Sequence, residues 1–138
     1  MSAPPWHTWV DHTAEVQLQV EAESLSGLLA EAGRALGLLL LRGRAAEPSG
    51  EARTIEVSSV DREALLVDWL NEIIFLAEVE TWIAVEFDVL EASETDLKAS
   101  ARGVSVDDPP ALVKAATFHG LAVEEWEGGL QAEVIFDV

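Results

Sequence analysis

The sequence predicts an α+β fold, a single compact domain over residues 1–138 in which a mixed β-sheet is covered by two amphipathic helices. Three observations lead there. Hydrophobic periodicity switches along the chain between two, the period of a half-buried strand, and 3.6, the period of a helix with one buried face. Two capping residues, Ser24 and Asp61, each stand just ahead of a leucine-rich stripe. The length suits one core, since a chain of this size buries roughly two thirds of its unfolded surface, and no linker or fixed-period repeat divides it.

Taken in order, Val16, Leu18 and Val20 share one face of a first strand, with Gln17, Gln19 and Glu21 on the other. Ser24 opens a helix whose apolar stripe includes Leu25, Leu28, Leu29, Ala32, Leu36 and Leu40, and which stops near Arg42-Gly43. Residues 45–50 are a polar loop, and 54–60 are a strand rich in β-branched residues. Asp61 caps a second helix with Leu65, Leu66, Trp69, Leu70, Ile73 and Ile74 at three-and-four spacing. Asp68 and Asn71 lie elsewhere around that axis, as candidates for a polar edge or as plain solvated surface. Strand patterns follow at 82–89, 96–102, 112–119 and 130–138, with a weaker one around Val123. Turn chemistry separates them at Ala92-Ser93-Glu94, Asp107-Asp108-Pro109-Pro110 and Gly128-Gly129. The five tryptophans read as core or interface residues.

Composition excludes whole classes of function. With 26 acidic against 8 basic residues the net charge is −18, so the chain repels phosphate backbones and anionic membranes and is not expected to bind nucleic acid directly. The acid excess fits a solvated surface, a basic partner or divalent cations. The absence of cysteine removes disulfides, thiolate zinc sites and a cysteine nucleophile. No leader-like pattern opens the chain, and the leucine-rich stretch 25–41 is interrupted by Glu31, Arg34 and glycines, so a soluble cytoplasmic protein is expected. No glycine-rich phosphate loop, G-x-S-x-G elbow or H-E-x-x-H is present, and no catalytic residue is assigned.

The chemistry gathers at the two ends. On the last strand Gln131, Glu133, Ile135 and Asp137 share a face, and Asp137 stands beside Val138, whose α-carboxylate is held near it covalently. Two carboxylates about 4 Å apart repel by roughly 1 kcal/mol in water and about 4 kcal/mol at an effective dielectric near 20, a cost that a cation removes. With Glu15 added, three hard oxygen donors suit calcium, magnesium or manganese better than zinc. The alternative is a solvated, frayed terminus. His12 and His119 read as metal ligands or general bases, or as packed, hydrogen-bonded residues. Asp11 and His12 point to opposite sides of an extended chain and form no dyad. Lys114, in an otherwise apolar strand, is costly to bury without an acidic partner, which marks it as a functional candidate.

Five segments carry a resemblance. His12-Thr13-Ala14-Glu15-Val16, Glu23-Ser24-Leu25, the run from Leu65 to Glu72, the run from Val113 to His119, and Ile135-Phe136-Asp137-Val138 stand in the order and spacing of the archease family, over nearly the whole chain. The chain resembles that family. The resemblance implies an archease-like domain that is an accessory protein, not an enzyme: an activator of an RtcB-type RNA ligase, promoting its guanylylation and multiple turnover in tRNA splicing or RNA repair. It also implies a divalent-cation site on Glu15, Asp137 and Val138, with Lys114 acting toward the partner and His12, His119 and Asp68 as secondary candidates. The chain departs from the family pattern at Glu15, where aspartate is usual, at Gln17, where glycine is common, and at Phe118, where tyrosine is common. The added methylene of Glu15 moves its carboxylate by about one bond length, enough to relocate or weaken a cation. Two other classes stay open: a metal-dependent hydrolase using Glu15 and Asp137 with His12 or His119, and a passive, chaperone-like binding module.

Overall fold

The computed structural model describes residues 3–12, 14–44, 46–110 and 112–138, apart from the side chain of His12. Nine elements follow in the order β1 (Trp6–His12), β2 (Glu15–Ala22), α1 (Leu25–Leu40), β3 (Ser49–Ser58), α2 (Arg62–Val79), β4 (Trp82–Ala92), β5 (Asp96–Ser105), β6 (Ala115–Trp126) and β7 (Gly129–Asp137). The fold is α+β with two helices, and the strands correct the expectation of one mixed sheet. They form two antiparallel sheets, β1-β2-β7-β6 and β3-β5-β4. The physical reason lies in the connections. β1–β2, β4–β5 and β6–β7 are hairpins, which force antiparallel pairing, while α1 carries the chain out of the four-stranded sheet into the three-stranded one.

Both helices pack on both sheets, forming a layer between them. The two helices expected to cover the sheet are thus themselves covered on two sides. On α1 Leu28, Leu29, Ala32, Ala35, Leu36 and Leu40 are buried, and on α2 the buried residues run nearly all round the axis, as a helix enclosed on two sides requires. The approach is closest at Gly37, where a Cβ would overlap the Ala84 carbonyl oxygen of β4. One continuous core joins Leu18, Val20, Val134 and Phe136 of the larger sheet to Ile83, Leu97, Ala99 and Ala101 of the smaller one through the helices. Trp69 sits at its centre, fully buried, donating its indole N–H to the Leu29 carbonyl at 2.9 Å and meeting Phe87 edge-on at 5.4 Å.

The caps are as the sequence predicts. Ser24 accepts from the Gly27 amide at 3.0 Å, and Asp61 accepts from the Ala64 amide at 2.8 Å. α1 closes with Gly43 N–H on Leu38 O at 2.7 Å and Arg42 N–H on Leu39 O at 2.9 Å, with Arg42 left-handed at φ 58°. β3 begins at Ser49, inside the predicted 45–50 loop; Ala45 lies outside the described residues. The two patterns at 112–119 and around Val123 are one strand, β6, interrupted by a register shift between Thr117 and Ala122. β1 is absent from the periodicity reading, although Trp6, Thr8, Trp9 and Val10 are strong strand formers. Its inner face is fastened to α1. The buried Glu31 carboxylate meets His7 Nδ1 at 2.7 Å and accepts from Arg34, including Nε at 3.1 Å. No helix among the described residues is long and apolar enough to cross a membrane.

Candidate functional site

Strand register brings the chain's two ends together. His12 closes β1 opposite Glu15, Glu15 opens β2 opposite Asp137, and Asp137 closes β7 opposite Ala115, the first residue of β6. One transverse row therefore crosses the end of all four strands. The β1–β2 connection is only two residues long, which places Glu15 at the lip of the sheet, and Ala14 supplies the reversal with a left-handed φ of 61°. Two main-chain bonds complete the end. Val138 N–H donates to Ala14 O at 3.2 Å, and Lys114 N–H donates to Asp137 O at 2.8 Å.

Directly opposed residues on antiparallel strands have Cβ atoms about 4.5–5.5 Å apart on one face. Glu15 and Asp137 thus present like charges side by side on the outer face of the sheet, away from the helices, since the alternate residues Val134, Phe136, Leu18 and Val20 fill the core. Glu15 is half-buried and Asp137 exposed. Like charges in that position destabilise, by about 1 kcal/mol with water between them and more where the neighbouring strands exclude it. Among the described residues no three His, Cys, Asp or Glu side chains gather as a metal-holding group. The donors at this end are two carboxylates and the main-chain oxygen of Val138, all hard oxygens of the kind calcium and magnesium take.

The remaining candidates fall in different places. Lys114 lies beside Asp137 through its main chain, but its side chain is exposed and β6 begins one residue later. The desolvation argument for it is thereby corrected. The apolar character of the segment comes from the buried Val113 and Ala116, and among the described residues no ion pair involves Lys114. His119 is exposed in the β6 bulge, which starts after Thr117, two rows in from Asp137; Gly120 there takes a left-handed φ of 65° against Ile135. The side chain of His12 lies outside the described residues. Asp68 is not gathered into the row; its carboxylate accepts from the Ser59 hydroxyl on the surface of α2.

Asn71 has a role that spacing suggested only as a polar edge. Its carboxamide accepts from Ala116 N–H at 2.8 Å and donates to Ala116 O at 3.2 Å, so it pairs with the outer edge of β6 as a neighbouring strand would. That clamp holds the strand whose first residue faces Asp137. A lone asparagine on a helix face gives no signal of its target, because the partner is a main chain 45 residues away.

The model of the archease protein family matches residues 7–138. The chain belongs to the archease family. An archease from Methanopyrus kandleri is 34% identical over 141 residues, covering 97% of this chain and 99% of that one. Another from Methanosarcina mazei is 30% identical, covering 96% and 95%. In structure the chain is similar to protein 1598 of Methanobacterium thermoautotrophicum, known in solution, with a TM-score of 0.76 and 26% identity over 96% of this chain and 98% of that one. It shares its fold with an archease of Thermotoga maritima, described as a possible chaperone, with a TM-score of 0.63 and 22% identity over 94% of each chain.

Proposed function

We propose that this archease is an accessory protein that activates an RtcB-type RNA ligase by direct contact, promoting ligase guanylylation and turnover in tRNA splicing or RNA repair. The observation that supports the reading is the pairing of Glu15 with Asp137 at an exposed sheet end, with Lys114 and Val138 bonded into the same corner. In this reading Glu15, Asp137 and the Val138 main-chain oxygen hold a divalent cation. When bound, the ion cancels the repulsion of the two carboxylates and offers a positive centre at the contact surface. The protein's own groups do the rest: the sheet end fixes the carboxylates in register, and Lys114 reaches into solvent toward the partner. A net charge of −18 favours a basic protein surface over RNA, so the effect on RNA joining runs through the ligase. The protein itself supplies no catalytic group.

The test is guanylylation and multiple-turnover ligation by the cognate ligase, with and without this protein. Asp137→Ala and Lys114→Ala should still bind the ligase yet fail to stimulate it, while Lys98→Ala should match the parent. A passive chaperone-like module, the coarser role named for the Thermotoga maritima protein, would give unchanged stimulation in all three variants. Hydrolysis of generic phosphoesters in the presence of manganese, lost in Asp137→Ala, would replace the reading with a metal-dependent hydrolase.

A further inference from the structure

The outer face of the four-stranded sheet carries the carboxylates of Glu15, Glu21, Glu124, Glu133 and Asp137, and no strand of that sheet contains a lysine or arginine. At the end far from Asp137, Trp6 and Trp126 line a cleft of about 140 Å³ together with Pro4, Glu21, Glu23 and Gly128. The two indoles are 46% and 47% exposed. The Trp126 ring lies close over Gly128, where a Cβ would come within 2.6 Å of it. Trp6 stands opposite Glu21 across the β1–β2 pair, and Glu23 accepts from Ala3 N–H at 3.1 Å, laying the segment before β1 along the cleft wall.

Half-exposed tryptophans occur singly on many surfaces. Two rings sharing one small cleft with two carboxylates make a more selective environment. An apolar occupant would strip water from Glu21 and Glu23, and an anion would be repelled by them. A cation is favoured by both, through the negative face of each indole and through the carboxylate charge. We propose that the cleft receives the cationic end of a lysine or arginine side chain from a basic segment of a partner protein, laid against the acidic outer face of the sheet. β7 spans the distance from this cleft, at Gly129, to the Glu15–Asp137 corner, roughly 27 Å at about 3.4 Å per residue, so the two sites are separate. The inference does not depend on the identity of the ligase.

The experiment is fluorescence anisotropy of labelled, end-capped hexaarginine and hexalysine titrated with the full chain. Trp6→Leu and Trp126→Leu keep apolar bulk and remove the ring face, and each should weaken binding by about 3- to 10-fold. Glu21→Gln should weaken it similarly, while Asp88→Asn, exposed on the smaller sheet, should leave it unchanged. Circular dichroism and melting verify that each variant is folded; should a leucine variant not fold, Glu21→Gln against Asp88→Asn decides. Equal affinity for all variants, or an equal loss in Asp88→Asn, would overturn the proposal in favour of general attraction to an acidic surface. Either result would leave the ligase assays with Asp137→Ala untouched.

Discussion

The Asn71 clamp makes a sharp prediction, because its carboxamide serves both polar groups of one buried residue. Ala116 is 5% exposed, and Asn71→Ala would leave its N–H and its C=O without partners. An unpaired buried group costs about 1–3 kcal/mol; Asn71 is half-buried, which admits water to part of the gap, so the low end applies to each and the total is about 2 kcal/mol. For a chain of this length that lowers Tm by roughly 8 °C. Calorimetry reads the shift, and hydrogen exchange at the Ala116 amide should accelerate more than at Val134 on the interior of the same sheet. Asn71→Asp separates geometry from bulk. It keeps the acceptor for Ala116 N–H but turns a negative oxygen toward Ala116 O, so the ionised form is disfavoured and the folded-state pKa of the new carboxyl is raised. Its stability should therefore be retained at low pH, where the protonated carboxyl donates to Ala116 O, and lost as pH rises through that pKa. A fall of less than about 2 °C for Asn71→Ala, or an Asn71→Asp penalty independent of pH, would refute the clamp.

Calcium or magnesium should raise Tm in a concentration-dependent manner, as expected for a ligand of the folded state alone, and Asp137→Asn should abolish most of that response while raising Tm slightly in metal-free buffer. An unmoved melting curve at saturating cation would mean that Glu15, in place of the usual aspartate, has cost the site. Gly37→Ala should destabilise by about 3 kcal/mol or prevent folding, because the new Cβ meets a carbonyl oxygen of β4 that cannot move without the sheet; denaturant titration measures it. Hydrogen bonds from the Ser58 hydroxyl at 2.6 Å and the Thr95 hydroxyl at 2.7 Å hold the Asp96 carboxyl below the ordinary aspartate range. Its contribution is present above the unfolded-state pKa and lost as pH falls through the lower folded value, so Ser58→Ala should raise the Asp96 pKa in a carbon-13 titration and move that loss to higher pH.

Local physics was legible where one residue decides an outcome over a few neighbours. Ser24 and Asp61 mark helix starts because each hydroxyl or carboxylate satisfies an amide three residues on, and Arg42-Gly43 marks a stop because the chain turns left-handed there. The strand character of 16–20 and 130–138 followed from alternation, which also placed Asp137 on a face with Gln131 and Glu133. β1 escaped because none of Trp6 to Asp11 is fully buried, and its half-buried and exposed tryptophan and histidine side chains interrupt a clean alternation of apolar and polar residues. The desolvation argument for Lys114 failed because alternation was carried over 112–114, ahead of the start of β6 at Ala115, so the exposed side chain carries no burial cost.

Secondary structure over most of the chain, acidity and family membership follow from the order of residues alone, since they depend on neighbours along the backbone. The tertiary structure alone decided that the strands form two sheets, that both helices lie between them, and that Glu15 faces Asp137 while Asn71 grips Ala116. Periodicity states which face of an element is buried, but it carries no information about which element covers that face. Pairing and register are settled by hairpin length, by the glycine that lets α1 approach β4, and by hydrogen bonds between residues remote in the chain.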